Sequence, residues 1–250
     1  NALERNEFFM NYQPRADVSS GRITAVEALL RWRHPELGLV PPGKFIPIAE
    51  QAGMINEIGE WVLRTSCAQQ KTWLASGIPP FRMAVNLSAR QLRNIDLKDR
   101  IAAILAETGL DANSLELEIT ESAVMEDPAR TVFLLKELRL LGIGIALDDF
   151  GTEYSSLGYL KQFPLDYMKI DQCFVRGIPK MNDDSAITKT IITLAKNLRL
   201  RVIAEGVETQ EQMAFLVEHG CEEIQGYLFS KPLPSDEAEA MLIANLGKPA

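Results

Sequence analysis

The chain has 250 residues, 46% of them hydrophobic, enough to bury a large core in one α/β barrel or in two small domains. Its 26 Lys and Arg against 34 Asp and Glu leave a net charge of −8, which excludes broad binding to the backbone of a nucleic acid polymer. An anionic ligand would need cations gathered locally.

No apolar run approaches the ~20 residues of a membrane span, and no secretory signal is visible, so direct membrane insertion by this segment is not expected. Cys67, Cys173 and Cys221 are too far apart for a zinc ribbon or a disulfide framework. They read as buried structural thiols in a reducing, cytoplasmic setting, with the inner face of the membrane reached only through domains outside this chain. The chain opens at Asn1, and residues 3–7 read as a helix end. Residues 1–250 are therefore expected to be a single domain of a longer, multidomain polypeptide.

In chain order, apolar β-branched runs at 8–12 and 23–30 come first, joined only by 15–22 with Ser19-Ser20-Gly21 as the turn. A parallel crossover needs a dozen or more residues, so this pair is predicted antiparallel. Helical periodicity at 58–75 leads to a run at 83–87, and 97–108 leads to 115–120. The alternation continues with 130–141 before 143–148, then a run at 167–170, 185–198 before 201–204, and 210–219 before 223–229. Gly77, Gly109, Gly142 and Gly220 follow helical stretches, as helix stops do. The pattern predicts an α/β fold: a modified TIM-type (β/α)8 barrel whose first strand is antiparallel to seven parallel ones.

Such barrels carry their chemistry at the C-terminal ends of the strands. Polar residues interrupt or end nearly every apolar run there: Glu27, Asn86, Glu118, Asp148-Asp149, Lys169, Glu205 and Gln225. Any single carboxylate of this kind reads equally well as a buried structural ion pair. Five carboxylates and an amide on one rim are harder to place that way, because Lys169 and Arg31 supply too little positive charge. Hard oxygen donors in that number suit Mg2+ or Mn2+, and adjacent aspartates suit two ions sharing a ligand. The residues alone thus reach a two-metal barrel enzyme acting on an anionic substrate, and leave its identity open.

Glu27-Ala28-Leu29-Leu30-Arg31-Trp32, preceded by Tyr12-Gln13-Pro14, resembles the signature of bacterial EAL domains. Val85-Asn86-Leu87-Ser88, Glu118-Ile119-Thr120-Glu121, Asp148-Asp149-Phe150-Gly151-Thr152, Lys169-Ile170-Asp171, Ala204-Glu205-Gly206-Val207-Glu208 and Gln225-Gly226-Tyr227 follow in that family's order, over about residues 7–234. The resemblance implies a phosphodiesterase that hydrolyses cyclic di-GMP to linear pGpG through water activated by two Mg2+ or Mn2+ ions, with Ca2+ bound but not supporting turnover. It implies that Glu27, Asn86, Glu118 and Asp148 hold one ion and that Asp148, Asp149 and Glu205 contribute to the second. Lys169 would orient the attacking water, and Glu205 has a second role as general base. Gln13, Leu29, Arg31 and Gln225 would contact the dinucleotide, while Glu121 and Glu208 would support the loop after Asp149. A homodimer and sensory or GGDEF-type domains in the full-length protein are further implications.

Two rival readings stay open. Some members of that family bind cyclic di-GMP without cleaving it, as receptors or interaction modules, although such members usually lack metal ligands that are all present here. A more distant rival is an enolase-like lyase with Lys169 as proton-abstracting base. The chain departs from the family in carrying Glu153 where Asp-Asp-Phe-Gly-Thr is usually followed by glycine, which puts the loop geometry in doubt. His34 and His219 have no partner at ligand spacing, and Trp61, Trp73 and Phe133 sit in helical patterns that predict core packing.

Overall fold

A computed structural model describes residues 2–152 and 157–247, so Glu153 and the residues next to it lie outside the described residues. Strands β1 (Phe8–Asp17) and β2 (Ile23–His34) form a hairpin turned by Asp17, whose carboxylate accepts from the amides of Ser19 at 3.1 Å and Ser20 at 2.8 Å. A second hairpin joins β2 to β3 (Gly38–Val40), where His34 Nδ1 accepts from the amides of Glu36 and Leu37. Helices α1 (Pro42–Gln51) and α2 (Ile55–Ala75) lead to β4 (Arg82–Leu87). The chain then alternates through α3 (Ala89–Leu92), α4 (Leu97–Thr108), β5 (Leu115–Thr120), α5 (Glu121–Met125), α6 (Pro128–Leu140) and β6 (Gly144–Phe150). It ends with α7 (Leu157–Leu160), β7 (Tyr167–Ile170), α8 (Gln172–Arg176), α9 (Asn182–Asn197), β8 (Arg201–Ala204), α10 (Gln210–His219), β9 (Glu223–Ile224) and α11 (Ser235–Asn245).

The parallel strands β2, β4, β5, β6, β7, β8 and β9 are neighbours in that order. β1 is antiparallel to both β2 and β9 and closes the ring of eight, while β3 is an extra strand on β2. The expected barrel is therefore present, with its first strand reversed. The sheet differs from the expected pattern in two places. The last run pairs only over Glu223–Ile224, after which the chain leaves the sheet and turns, with Ser230 N–H donating to Gly226 O at 3.0 Å. β3 was not foreseen, because three residues give too short a pattern to read.

The apolar core lies between the outer face of the sheet and the helices. On α2, Ile55, Ile58, Val62, Leu63, Cys67 and Trp73 recur on one buried face, as the helical period requires. Trp73 is fully buried and meets Tyr12 edge-on with ring centres 4.9 Å apart. Trp61 packs at the edge of this core, but Phe133 on α6 is 67% exposed, so core packing is wrong for it. Cys67 and Cys221 are buried as expected, whereas Cys173 is exposed. Inside the barrel the only apolar cluster among the described residues is Ala146, Tyr167 and Ile203. Most of the remaining lumen is filled by charged side chains, unlike the branched aliphatic layers usual in this architecture.

Candidate metal centre

Side chains two apart on a strand share a face, so the strand register decides what enters the lumen. Gln13, Glu27, Asn86, Glu118, Asp148 and Lys169 face the lumen from β1, β2, β4, β5, β6 and β7, and Glu205 and Gln225 follow β8 and β9 directly. Contacts join these eight residues into two groups of four, which meet where the Glu27 and Glu118 carboxyls come together. Asn86 Nδ2 donates to Glu27 Oε1 at 2.7 Å, and Gln225 Nε2 donates to Glu27 Oε2 at 2.5 Å and to Gln13 Oε1 at 3.1 Å. Lys169 Nζ lies 2.6 Å from Glu118 Oε2, 2.6 Å from Glu205 Oε1 and 3.2 Å from Asp148 Oδ2.

The adjacent aspartates raise a geometric question, since neighbours on a regular strand point to opposite faces. The answer is a bulge. Leu147 pairs with Met168 and Phe150 with Ile170, so β6 carries one residue more than β7 between those pairs. Asp149 takes up the excess with a left-handed φ of 54°, and its amide donates to Asp148 Oδ1 at 2.8 Å. Carboxylate oxygens of Asp148, Asp149 and Glu205 consequently lie within 4.8 Å of one another. The loop beyond is tied by Glu121, which is buried and accepts from Gly151 N–H at 3.0 Å. Glu208 is exposed and its carboxylate has no hydrogen bond or ion pair to that loop among the described residues; its amide instead donates to Gln212 at the start of α10.

The electrostatics follow from burial and crowding. Burial raises the Glu205 carboxyl to about 8, helped by Asp148 and Glu27 and opposed by Lys169. Asp149 is pushed up to about 6 by burial and by Asp148. Burial, Glu27 and Asp148 hold Glu118 well above the usual carboxylate range despite Lys169. Glu27 lies below that range, because Lys169 and the amides of Gln225 and Asn86 outweigh its burial. Burial disfavours the Lys169 ammonium, yet Asp148, Glu118 and Glu205 keep its proton on firmly. One ammonium thus faces five carboxylates, and the surplus is relieved by protons.

A lower tier of charge went unforeseen. Arg15 is 1% exposed; its Nη2 lies 2.8 Å from Glu116 Oε1, its Nε 2.7 Å from Glu223 Oε2 and its Nη1 3.7 Å from Glu118 Oε1. Arg82 meets the same Glu116 at 3.1 Å and Glu223 at 2.8 Å, donates to the Tyr167 hydroxyl and stacks 4.4 Å from that ring's centre. The signal was present as spacing: Gln13 and Arg15, Glu118 and Glu116, Lys169 and Tyr167, and Gln225 and Glu223 are each two residues apart.

Above the rim, a cavity of about 510 Å³ includes Gln13, Glu27, Arg31, Glu205 and Gln225 in its wall. A second, more apolar cavity of about 470 Å³ is lined by Ile46, Ile58, Val62 and Thr120. Leu29 and Arg31 line both, so they form the ridge between them. Arg176 and Tyr227, which sequence reasoning passed over, also line the first cavity. No helix among the described residues is long and apolar enough to cross a membrane.

A family model described as the EAL domain matches residues 1–232. The chain is 44% identical over 236 residues to MucR of Pseudomonas aeruginosa, named a bifunctional diguanylate cyclase/cyclic di-GMP phosphodiesterase, covering 94% of this chain and 34% of that protein. It is 45% identical over 243 residues to the cyclic di-GMP phosphodiesterase NbdA of the same organism, covering 97% and 31%. The chain therefore spans about a third of the length of these relatives. Among solved structures, a complex of the PaMucR phosphodiesterase with c-di-GMP superposes with a TM-score of 0.91 at 43% identity, over 95% of this chain and 96% of that one. The EAL enzyme Bd1971 in its cAMP and cyclic di-GMP bound form gives 0.92 at 35% identity, over 96% and 66%.

Proposed function

The chain belongs to the EAL domain family, and from that premise we propose that it hydrolyses cyclic di-GMP to linear pGpG with two divalent ions at the mouth of the barrel. The observation that carries this reading is charge. Glu27, Glu118, Asp148, Asp149 and Glu205 converge at the rim, where among the described residues Lys169 is the only cation in hydrogen-bonding contact with any of them, leaving four negative charges when all are ionised, the charge of two divalent cations. All the donors are oxygens, which suits Mg2+ or Mn2+.

Asp148, Asp149 and Glu205 would hold one ion and Glu27, Asn86, Glu118 and Asp148 the other, with Asp148 shared. When bound, such a pair neutralises phosphoryl oxygens, makes water acidic enough to attack at neutral pH and stabilises the departing ribose oxygen. Glu205, which burial raises to about 8, would give up its proton beside such a pair and serve as a ligand first. Lys169, held by three carboxylates, orients the water for in-line attack. The water oxygen gives up a proton as it bonds to one phosphorus, the bond from that phosphorus to the 3′ oxygen breaks, and the 3′ oxygen takes up a proton in its place. Arg31 offers a forked donor to a phosphate from the ridge between the cavities, and Gln13, Leu29 and Gln225 line the dinucleotide's bed.

Chromatography of cyclic di-GMP after incubation with the chain and Mg2+ or Mn2+ tests this. Linear pGpG is expected with the native chain and none with Glu27→Ala or with Ca2+, whose looser coordination suits binding better than this chemistry. Tight binding without product would select a receptor instead. The proposal extends beyond catalysis in two respects. A homodimer is supported by Phe133 and Leu140, 67% and 82% exposed and seven residues apart on one face of α6. A cytoplasmic setting is supported by three unpaired cysteines, and accompanying sensory or GGDEF-type domains by the length of the relatives, of which the chain spans about a third.

A further inference from the structure

The two charged tiers of the lumen are joined through Arg15. Its guanidinium remains charged at any working pH and presents donors in a rigid fork. From β1 it reaches Glu116 and Glu118 on β5 and Glu223 beside β1 on β9. Space for it comes from small neighbours, since the lumen-facing Ala25 and Ala84 are both buried. The lower tier needs no further carboxylate to satisfy Arg15, because Arg82 shares Glu116 and Glu223 with it and Arg201 also meets Glu223 at 3.1 Å, three guanidinium groups around two carboxylates. What distinguishes Arg15 is the third contact, its Nη1 at 3.7 Å from Glu118 Oε1, which Arg82 lacks.

That contact falls on the oxygen of Glu118 facing away from the rim, for Oε2 is the one that meets Lys169 at 2.6 Å. We propose that Arg15 is a positioning residue for the metal centre: from beneath, its charge, 3.7 Å from Glu118 Oε1 and beyond hydrogen-bonding distance, draws that oxygen down so that the other stays aimed at the ions. The inference rests on the reading of Glu118 as a ligand. Lys169 alone does not give this orientation, because its ammonium is divided among Glu118, Asp148 and Glu205. Groups that orient metal ligands from behind are typically worth about 10–100-fold in metal affinity.

The test is Mn2+ titration of the purified chain, read by the electron paramagnetic resonance of free Mn2+, beside circular dichroism for folding and steady-state kinetics. Arg15→Met and Arg15→Lys are both expected to weaken Mn2+ binding by about tenfold or more and to lower kcat, with KM changed by less than about twofold. Lysine keeps the charge but cannot fork across three carboxylates, so Arg15→Lys carries the test if Arg15→Met does not fold. Arg82→Met, which loosens the same lower tier without touching Glu118, is expected to hold Mn2+ within about twofold of the native chain. Equal weakening in Arg82→Met would reduce Arg15 to a structural role and overturn the proposal. Unchanged affinity in Arg15→Lys with a loss in Glu118→Gln also overturns it. Unchanged affinity in both Arg15→Lys and Glu118→Gln instead removes the ligand role of Glu118 from which the inference starts.

Discussion

Asp148 takes part in both halves of the rim: it meets Lys169, accepts from the amide of Asp149 and shares the close cluster with Glu205. Asp148→Asn keeps its shape and removes the charge on which two ions would converge. Turnover of cyclic di-GMP is expected to fall by at least about a hundredfold, more than the loss of a group behind a ligand, and Mn2+ should no longer raise the melting temperature. The neighbouring titrations give a second prediction. Glu205 moves from an ordinary 4.5 to about 8 and Asp149 from 3.8 to about 6, so the fold favours their neutral forms. Stability from such groups is complete below their unfolded values and is lost as pH rises through the folded ones. In chelator, Tm is therefore expected to fall between about pH 5 and 8, and saturating Mg2+ should flatten that fall by favouring the ionised forms. Glu27 shifts the other way and acts below this window. A chelated protein whose Tm ignores pH from 5 to 8 would contradict the charge crowding.

At the scale of elements, the turn after β9 depends on a close approach. Gly226 has a φ of 155°, and a methyl group there would collide with the backbone nitrogen and oxygen of Val207. Since Val207 N–H donates to Gln225 O at 3.1 Å, Gly226→Ala must push apart the segments that carry Glu205 and Gln225. A loss of about 1–3 kcal/mol in urea unfolding is expected, with a rise in KM. The elements themselves were largely legible because period and punctuation agreed: buried positions on α2 recur at helical spacing, and left-handed Gly109 and Gly220 stop α4 and α10. The reversed first strand followed from a connection too short to cross over. What stayed hidden depends on partners distant in sequence. The bulge that turns Asp149 toward Asp148 exists only relative to β7, and Arg15 gains meaning only when β1 lies beside β9. The rim residues stood out because each breaks an apolar run; Arg15 lies beyond the run at 8–12 and broke nothing. Phe133 shows the converse, an aromatic in a helical pattern that faces outward.

For the molecule as a whole, ions that bind only the folded barrel should stabilise it by about 2.7 kcal/mol for each site at a concentration a hundred times Kd. Differential scanning calorimetry across a Mn2+ series measures this, and a Tm indifferent to Mn2+ would exclude a folded-state site. The closure of the ring has a reach of its own. β1 is the strand that lies between β2 and β9, and Asn245 of α11 holds the first hairpin by accepting from Ile23 N–H at 2.8 Å and donating to Gly21 O at 3.0 Å. A chain emerging from the ribosome therefore carries an unclosed sheet, with Arg15 lacking Glu223, until β9 has been made. Release of a fragment ending at residue 222 should leave a species that proteases digest readily and that captures no Mn2+. Synthesis would then have no stage at which a half-made barrel sequesters ions.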